Sequence, residues 1–323
     1  MRQIVTADIG GTHARFALAT LDDGQVVDLG IPIVVRTGEH ESFEAAWQEF
    51  GRRSDQVLPR DLAIAFAGPV GDELSKLTNS GWTIRAGKLS RTLALDRLKI
   101  VNDFGAVAHA VAALDEQSFQ HLCGPDQPLP HEGVITVIGP GTGLGVALLL
   151  RRINGSYEVV ETEGGHVDFA PLDPLEDQML AALRLRFGRV SVERLVSGPG
   201  LLNIYQALRE VDRQPTIQHN DCELWAAAID GTDDLARIAL ERFCLCLGAV
   251  AGDIALAHGA SAVAIGGGIG RRLAGYLPST NFHARFRSKG RFNERLSRTP
   301  VKMISYPEPG LLGAAAAFGA DHH

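Results

Sequence analysis

Ile4-Val5-Thr6-Ala7-Asp8-Ile9-Gly10-Gly11-Thr12 lies at the start of the chain, and the residues after it decide the fold. Ile4–Ala7 reads as a buried strand, Asp8–Thr12 as a turn, and Arg15–Ala19 resumes as a strand. A strand after the glycine turn excludes the dinucleotide fingerprint, where a helix comes next. No Gly-Lys-Ser/Thr follows, which excludes a Walker A loop. Asp22-Asp23-Gly24 is a hairpin turn, with Gln25–Gly30 as the returning strand. The chain therefore begins as a β-meander rather than a βαβ unit. Consecutive backbone N–H groups in a turn such as Gly10-Gly11-Thr12 can cradle phosphate oxygens, and Thr12 adds a hydroxyl. Asp8 offers the hard oxygen that suits Mg²⁺. Alone, the turn also fits an ordinary hairpin.

The pattern returns further along. Val134–Ile138 is a strand, Gly139-Pro140-Gly141-Thr142-Gly143 a turn, and Leu144–Leu150 another strand, a hint of internal duplication. A third cluster, Gly266-Gly267-Gly268, follows strand Ser261–Ile265. It would admit an adenine or ribose lying against bare backbone, or simply turn the chain into a helix. Leu62–Ala67, Leu98–Val101 and Val301–Ser305 are further strands. Helices are predicted over Glu41–Arg53, Phe104–Leu114, Leu175–Phe187, Pro199–Val211, Leu235–His258 and Gly310–Phe318, with most of a loop over 121–133.

Two polar segments carry chemistry. Asn102-Asp103 ends a strand just before a helix: a carboxylate there can take a proton from a substrate hydroxyl, or serve as an N-cap. Glu161-Thr162-Glu163-Gly164-Gly165-His166-Val167-Asp168 places carboxylate and imidazole on one turn, able to hold a vicinal pair of hydroxyls. A metal site from Glu163, His166 and Asp168 lacks a third strong ligand at recognisable spacing. Asn79 and Glu193 are further polar candidates, and His109 reads as structural.

Hydrophobic residues make up 45% of the 323 and charged residues 21%, a globular composition. A net charge of -7 argues against non-specific nucleic-acid binding. The basic run Arg285, Arg287, Lys289, Arg291 reads as a solvated face or surface turn. The four cysteines form no Cys-x-x-Cys pair, and Cys244 and Cys246 read as buried free thiols. The N-terminus lacks a signal peptide's apolar core, and the apolar run near Leu245–Ile265 is broken by Asp253 and His258. The expectation is a cytoplasmic protein without a membrane partner.

The segments ADIGGTHARFAL, LTNSGW, IVNDFGAV, GPGTGLGVALL, EGGHVDFAP, VERLVSGPGL, IGGGI and PGLLGAAAA, in this order, resemble the bacterial ATP-dependent glucokinases from end to end. The resemblance implies an α/β, two-lobed actin-like ATPase (ribonuclease H-like) fold of the hexokinase/actin/Hsp70 kind. Each lobe would be a mixed β-sheet flanked by helices, with the active site in the interlobe cleft. The expected lobes are a small lobe 1–113, completed by a C-terminal helix 307–323, and a large lobe 114–306. The implied reaction moves the γ-phosphoryl of MgATP to the 6-hydroxyl of glucose. Asp103 would be the base, with Asn79, Asn102, Glu163, His166 and Glu193 around the sugar. Asp8, Gly10, Gly11 and Thr12 would form one phosphate loop, and Gly139, Gly141, Thr142 and Gly143 the other. Gly266, Gly267 and Gly268 would border the adenosine, Asp8 would reach Mg²⁺ through the phosphates, and a homodimer is implied. His13 departs from the family's usual Gly-Gly-Thr-Asn. The cysteine-rich zinc motif of the related kinases and repressors does not follow EGGHVDFAP. Other readings are a kinase for another hexose or with another phosphoryl donor, and a sugar sensor without catalysis. His322 and His323 are either native or a tag remnant and are assigned no metal chemistry.

Overall fold

The first strand, β1 (Arg2–Ile9), pairs antiparallel with β2 (His13–Asp22), from Arg2 opposite Leu21 to Ile9 opposite Ala14. The chain then reverses at Asp23 and Gly24, whose φ values of 48° and 75° suit a two-residue hairpin, into β3 (Gln25–Leu29). Strand β4 (Ile33–Arg36) pairs with the opposite end of β2. Helix α1 (Phe43–Ser54) leads to β5 (Asp61–Phe66), parallel to β1. After the short pair β6 (Ser75–Lys76) and β7 (Thr83–Ile84) come α2 (Ala86–Thr92), β8 (Arg97–Asn102), parallel to β5, and α3 (Asp103–Ala113). The sheet order is β3-β2-β1-β5-β8. The structure is a computed structural model and describes residues 1–68, 75–76, 82–215 and 220–321.

Strands buried on both faces read as unbroken apolar runs, and β5 shows how the two faces differ. Leu62, Ile64 and Phe66 join an aromatic core with Phe16, Phe43 and Phe50. In it, the Phe16 ring stacks 5.3 Å from Phe50 and lies tilted 5.6 Å from Phe43. Ala63 and Ala65 face a second core of small residues. That face receives a helix from the far end of the chain.

The next residues build a second sheet from β9 (Phe119–Cys123), β10 (Gly133–Pro140), β11 (Leu144–Arg151) and β12 (Tyr157–Thr162). Helices α4 (Pro174–Phe187), α5 (Gly198–Val211), α6 (Asp221–Asp230) and α7 (Asp234–His258) follow. Then come β13 (Ala262–Ile265), α8 (Gly268–Leu273), α9 (Phe282–Arg287), α10 (Asn293–Ser297) and β14 (Val301–Ile304). The order is β12-β11-β10-β13-β14-β9. In both sheets three consecutive strands lie side by side, and two later strands add parallel to the first of them. The echo between the two glycine turns is thus an echo of whole sheets. The last helix, α11 (Pro309–Ala320), packs on the small-residue face of the first sheet. Thr6 Oγ1 donates to Leu311 O there at 2.7 Å.

By contact the chain divides into two units. One is Met1–Asp115 with Val159–Glu161 and the residues from Tyr306 onward; the other is Glu116–Glu158 with Thr162–Ser305. No helix among the described residues is long and apolar enough to cross a membrane.

Several elements depart from the sequence reading. Residues 121–123, expected in a loop, belong to β9, an edge strand antiparallel to β14. Strand β12 alternates exposed and half-buried residues, so it lacks an apolar run. Helices α8 to α10 have five or six residues each, too few to show a helical period. The basic run is not a uniformly solvated face. Arg285 Nη2 lies 2.6 Å from Glu176 Oε1 and 2.9 Å from Asp173 Oδ2. Lys289 Nζ reaches Asp253 Oδ1 at 2.6 Å and Ala249 O at 2.9 Å. A cation at a packed site needs such partners, since burial without them costs several kcal/mol, on the order of 3–5 when one partner of a buried pair is lost. Cys244 and Cys246 are buried, Cys123 is half-buried and Cys222 exposed, all as free thiols.

Two outcomes follow from the packing of α3. A Cβ at Gly313 would collide with the Ala106 carbonyl of α3. Gly313→Ala should lower the urea midpoint of the full chain by an amount equivalent to ~2–3 kcal/mol, the cost of overpacking. In His109, burial pushes the imidazole down from 6.5 to about 4; Lys99 adds to the shift and Asp321 opposes it. Between those values the unfolded chain takes up a proton that the folded chain refuses, so stability is complete above pH 6.5 and falls as pH drops. At pH 5 the loss from this group is about 2 kcal/mol. Urea unfolding at pH 5 and 7 should show His109→Gln losing less stability across that interval than the unaltered chain.

Candidate functional site

Parallel strands bring their carboxyl ends to one edge of a sheet, where side chains and turns can face a ligand. In the first unit that edge carries the end of β1, the end of β5 and the end of β8, because Ile9 pairs with Phe66 and Phe66 with Asn102. Hydrogen bonds extend the alignment: Ala67 N donates to Ile9 O at 3.0 Å, and the Asn102 side-chain Nδ2 donates to Gly68 O at 3.3 Å. Asp8, Gly10, Gly11, Thr12, Asn102 and Asp103 therefore share one end of one sheet.

The first glycine turn is tied from outside. Thr37, which is buried, donates its Oγ1 proton to Gly11 O at 2.7 Å and its N–H to Thr12 O at 3.1 Å. Gly10 N–H closes the turn on His13 O at 2.9 Å, so this donor is spent within the turn instead of facing phosphate. Asp8 lies 3.7 Å from Arg15 Nη1, and Gly310 is close enough that a Cβ there would come within 2.8 Å of its carboxylate.

At α3 the structure separates the two roles the sequence left joined. Asn102 is the N-cap: its Oδ1 accepts from Phe104 N at 2.8 Å and Gly105 N at 3.2 Å. Asp103 is then the first helical residue, half-buried, with Oδ1 accepting from Phe104 N at 2.9 Å. Asn79 lies outside the described residues.

The second unit gathers another group around the start of β11. Gly139 is buried within β10 opposite Gly145, so the exposed turn is Gly141–Gly143, closed by Gly141 N–H on Gly143 O at 2.8 Å. Glu193, in a short 3-10 segment Val192–Arg194, accepts the Leu144 N–H through Oε2 at 2.9 Å. Its carboxylate fills the space beside Gly143 that a side chain there would need. The Gly164–His166 turn sits on the same strand: a Cβ on Gly164 would press on Val146 at 3.0 Å, and one on Gly165 would collide with Leu144 O. Glu163 Oε2 and His166 Nε2, both exposed, stand 3.9 Å apart. Glu163, His166, Glu193 and the Gly141–Gly143 turn are thus organised by one short stretch of backbone, Leu144–Val146.

At the end of β13, Gly266 N–H continues the ladder to Ile138 O at 2.9 Å. Gly267, at φ 79°, packs where any Cβ would meet the Pro140 carbonyl. These two glycines are explained by turning the chain against β10; Gly268 has open space around it. Asp168 pairs with Arg189 at 2.7 Å. Among the described residues no group of three or more His, Cys, Asp or Glu side chains is placed to hold a metal.

Sequence reasoning missed three supporting residues. Arg189 also donates to His166 O at 2.6 Å, Thr37 braces the first turn, and Glu161 accepts from Asn102 N at 2.8 Å. Glu161 was visible only as part of an acidic run, and Arg189 and Thr37 carry no local pattern at all.

Comparison with known proteins adds an independent line. The glucokinase family model matches residues 5–321. The chain is 56% identical over 316 residues to a glucokinase of Zymomonas mobilis, covering 98% of this chain and 97% of that protein. It is 36% identical over 320 residues to a glucokinase of a Caulobacter species, covering 98% and 95%. Among solved structures, a glucokinase from an Antarctic psychrotroph superposes with a TM-score of 0.86 at 32% identity, covering 98% of both chains. A Streptomyces griseus ROK family glucokinase, solved with glucose and AMPPNP, shares the fold at a TM-score of 0.62 and 19% identity, covering 97% of this chain and 98% of that one. With two mixed sheets in the actin- and hexokinase-like arrangement and a family match over nearly its whole length, the chain belongs to the glucokinase family.

Proposed function

We propose that this protein is a glucokinase that transfers the γ-phosphoryl of ATP to the 6-hydroxyl of glucose. The observation that carries the reading is Asp103. It opens helix α3 at the end of a parallel strand, with the capping role taken by Asn102. An aspartate at the first position of a helix, with one oxygen held by Phe104 N–H, is suited to accept a proton. As the glucose 6-oxygen attacks the γ-phosphorus, Asp103 takes its proton, the bond from the γ-phosphorus to the bridging oxygen breaks, and ADP leaves. Positioning and charge neutralisation supply most of the catalysis in such transfers.

Glu163, His166 and Glu193 are assigned to the sugar hydroxyls, and Asn102 and Asn79 to the same acceptor. Glu193 has Oε2 held by Leu144 N–H, which fixes the orientation of its carboxylate. Gly11 and Thr12 of the first turn and Thr142 and Gly143 of the second are assigned to the polyphosphate, with Gly268 beside the adenosine. Asp8, whose carboxylate lies 3.7 Å from Arg15 Nη1, would offer Mg²⁺ the hard oxygen it prefers. When bound it offsets the charge of the polyphosphate. Glucokinases solved with glucose, from Balamuthia mandrillaris, and with glucose and AMPPNP, from Streptomyces griseus, support the choice of acceptor and donor. A cytoplasmic location belongs to the same reading, and so does a homodimer, which rests on the family.

The primary test is ADP release from MgATP across glucose, fructose, mannose and N-acetylglucosamine. Turnover should be strongest with glucose; a preference for another sugar would overturn the assignment of Glu163, His166 and Glu193. Asp103→Ala should keep glucose affinity within about tenfold by calorimetry and lose at least ~10²-fold in kcat. An unchanged kcat would remove Asp103 as the base. His166→Ala should raise the KM for glucose about tenfold, the scale of one lost hydrogen bond to a substrate.

A further inference from the structure

A helix leaves its first N–H groups without partners inside the helix. The commonest reciprocal solution uses two side chains: the N-cap residue accepts from the N3 N–H, and a Glu or Gln at N3 reaches back to the N-cap N–H. Helix α3 has the first half of this arrangement, from Asn102 Oδ1 to Gly105 N at 3.2 Å. It lacks the second half, because its N3 residue is Gly105.

The missing carboxylate arrives from another element. Glu161, near the end of β12, accepts the Asn102 N–H through Oε1 at 2.8 Å. A Cβ on Gly105 would run into that same oxygen. The helix has thus given up its own N3 side chain, and a carboxylate 59 residues further along the chain occupies the space. Val159–Glu161 groups with the first unit although Glu158 and Thr162 on either side do not.

We propose that Glu161 is a positioning residue for Asn102 and Asp103. Its carboxylate holds the peptide that precedes Asp103, and so sets the direction in which the Asp103 side chain leaves the helix. A hydrogen bond from backbone N–H to a charged carboxylate is stronger than one to a neutral acceptor. Small errors in placing a reacting group are costly, with ~1 Å of misplacement capable of a loss of about 10²-fold. Glu163, assigned to the sugar, stands two residues further along the same segment. This inference rests on Asp103 being the base.

The test compares Glu161→Ala and Glu161→Gln in the full chain with the unaltered protein. Gln keeps an oxygen acceptor for the Asn102 N–H; Ala removes it. Glu161→Ala should lower kcat for glucose phosphorylation by roughly tenfold, with KM for glucose within about threefold, and Glu161→Gln should recover kcat to within about threefold. A merely structural role would move the urea midpoint without this split between kcat and KM. Glu161→Ala with kcat within twofold of the unaltered protein would overturn the proposal, as would Gln falling as far as Ala. Hydrogen exchange of the Asn102 amide reads the cap without activity: it should be faster by at least about tenfold in Glu161→Ala, and equal protection would overturn the proposal. Absence of turnover in the unaltered protein would count against Asp103 as the base, while the exchange result would still decide the cap.

Discussion

The parallel pairing of β1, β5 and β8 is the constraint on which much of the rest depends. A parallel ladder fixes which end of each strand lies beside which, and here it aligns Ile9, Phe66 and Asn102. Asp8 and its glycine turn, Gly68, and the start of α3 meet at one edge because of that alignment and not because of closeness in sequence. The second sheet repeats the rule, with Ile138 beside Ile265, so the turn after β10 and the glycines after β13 share an edge. Once three strands run parallel, chemistry separated by about a hundred residues is gathered without any side-chain contact having to bring it together.

The parallel sheets impose a second requirement, that both faces be covered. The first sheet meets it with large residues on one face and small ones on the other. Leu62, Ile64 and Phe66 fill the aromatic core, while Ala63 and Ala65 leave room for α11. The helix is itself built from small residues and comes so near α3 that Gly313 lies against the Ala106 carbonyl. Helix α3 packs side by side with the C-terminal helix and touches β5 and β8 beside it. The element that steadies the start of α3 thus comes from the far end of the chain.

The main elements could be read directly, and what could not has a physical pattern. Strands buried on both faces, such as β1, β5 and β10, and long helices such as α7 carry enough apolar residues to show a period or a run. Edge strands β9 and β12 and the helices α8 to α10 are too exposed or too short to do so. Arg285 and Lys289 looked like solvated cations because sequence shows a charge but not its partners; Asp173 and Glu176 lie more than a hundred residues from Arg285. Within the candidate site, the glycine turns and Asn102-Asp103 were legible because turns and strand ends have local signatures. The glycines were not all legible for the right reason: Gly139 and Gly267 serve strand pairing and backbone packing. Thr37, Arg189 and Glu161 act on backbone atoms of the site, and no local pattern reports a bond to a distant peptide group.

Asn102 and Asp103 illustrate what a structure adds to such a reading. Either residue could cap a helix, and either could serve a substrate; as a pair of letters they are interchangeable. The geometry makes them unequal. The Oδ1 of Asn102 accepts from two helix N–H groups and its Nδ2 donates to Gly68 O, so most of its hydrogen-bonding capacity is committed to the fold. Asp103, one residue on, has one oxygen fixed by Phe104 N–H. An amide suits the first task because it both donates and accepts, which an ionised carboxylate cannot do. A carboxylate suits the second because it can accept a proton from an attacking hydroxyl, which an amide cannot. The order Asn-Asp, rather than Asp-Asn, places the residue that can accept a proton inside the helix and the residue that can only bridge at its threshold. The fold therefore gives the cap to Asn102 and sets Asp103 at the first helical position.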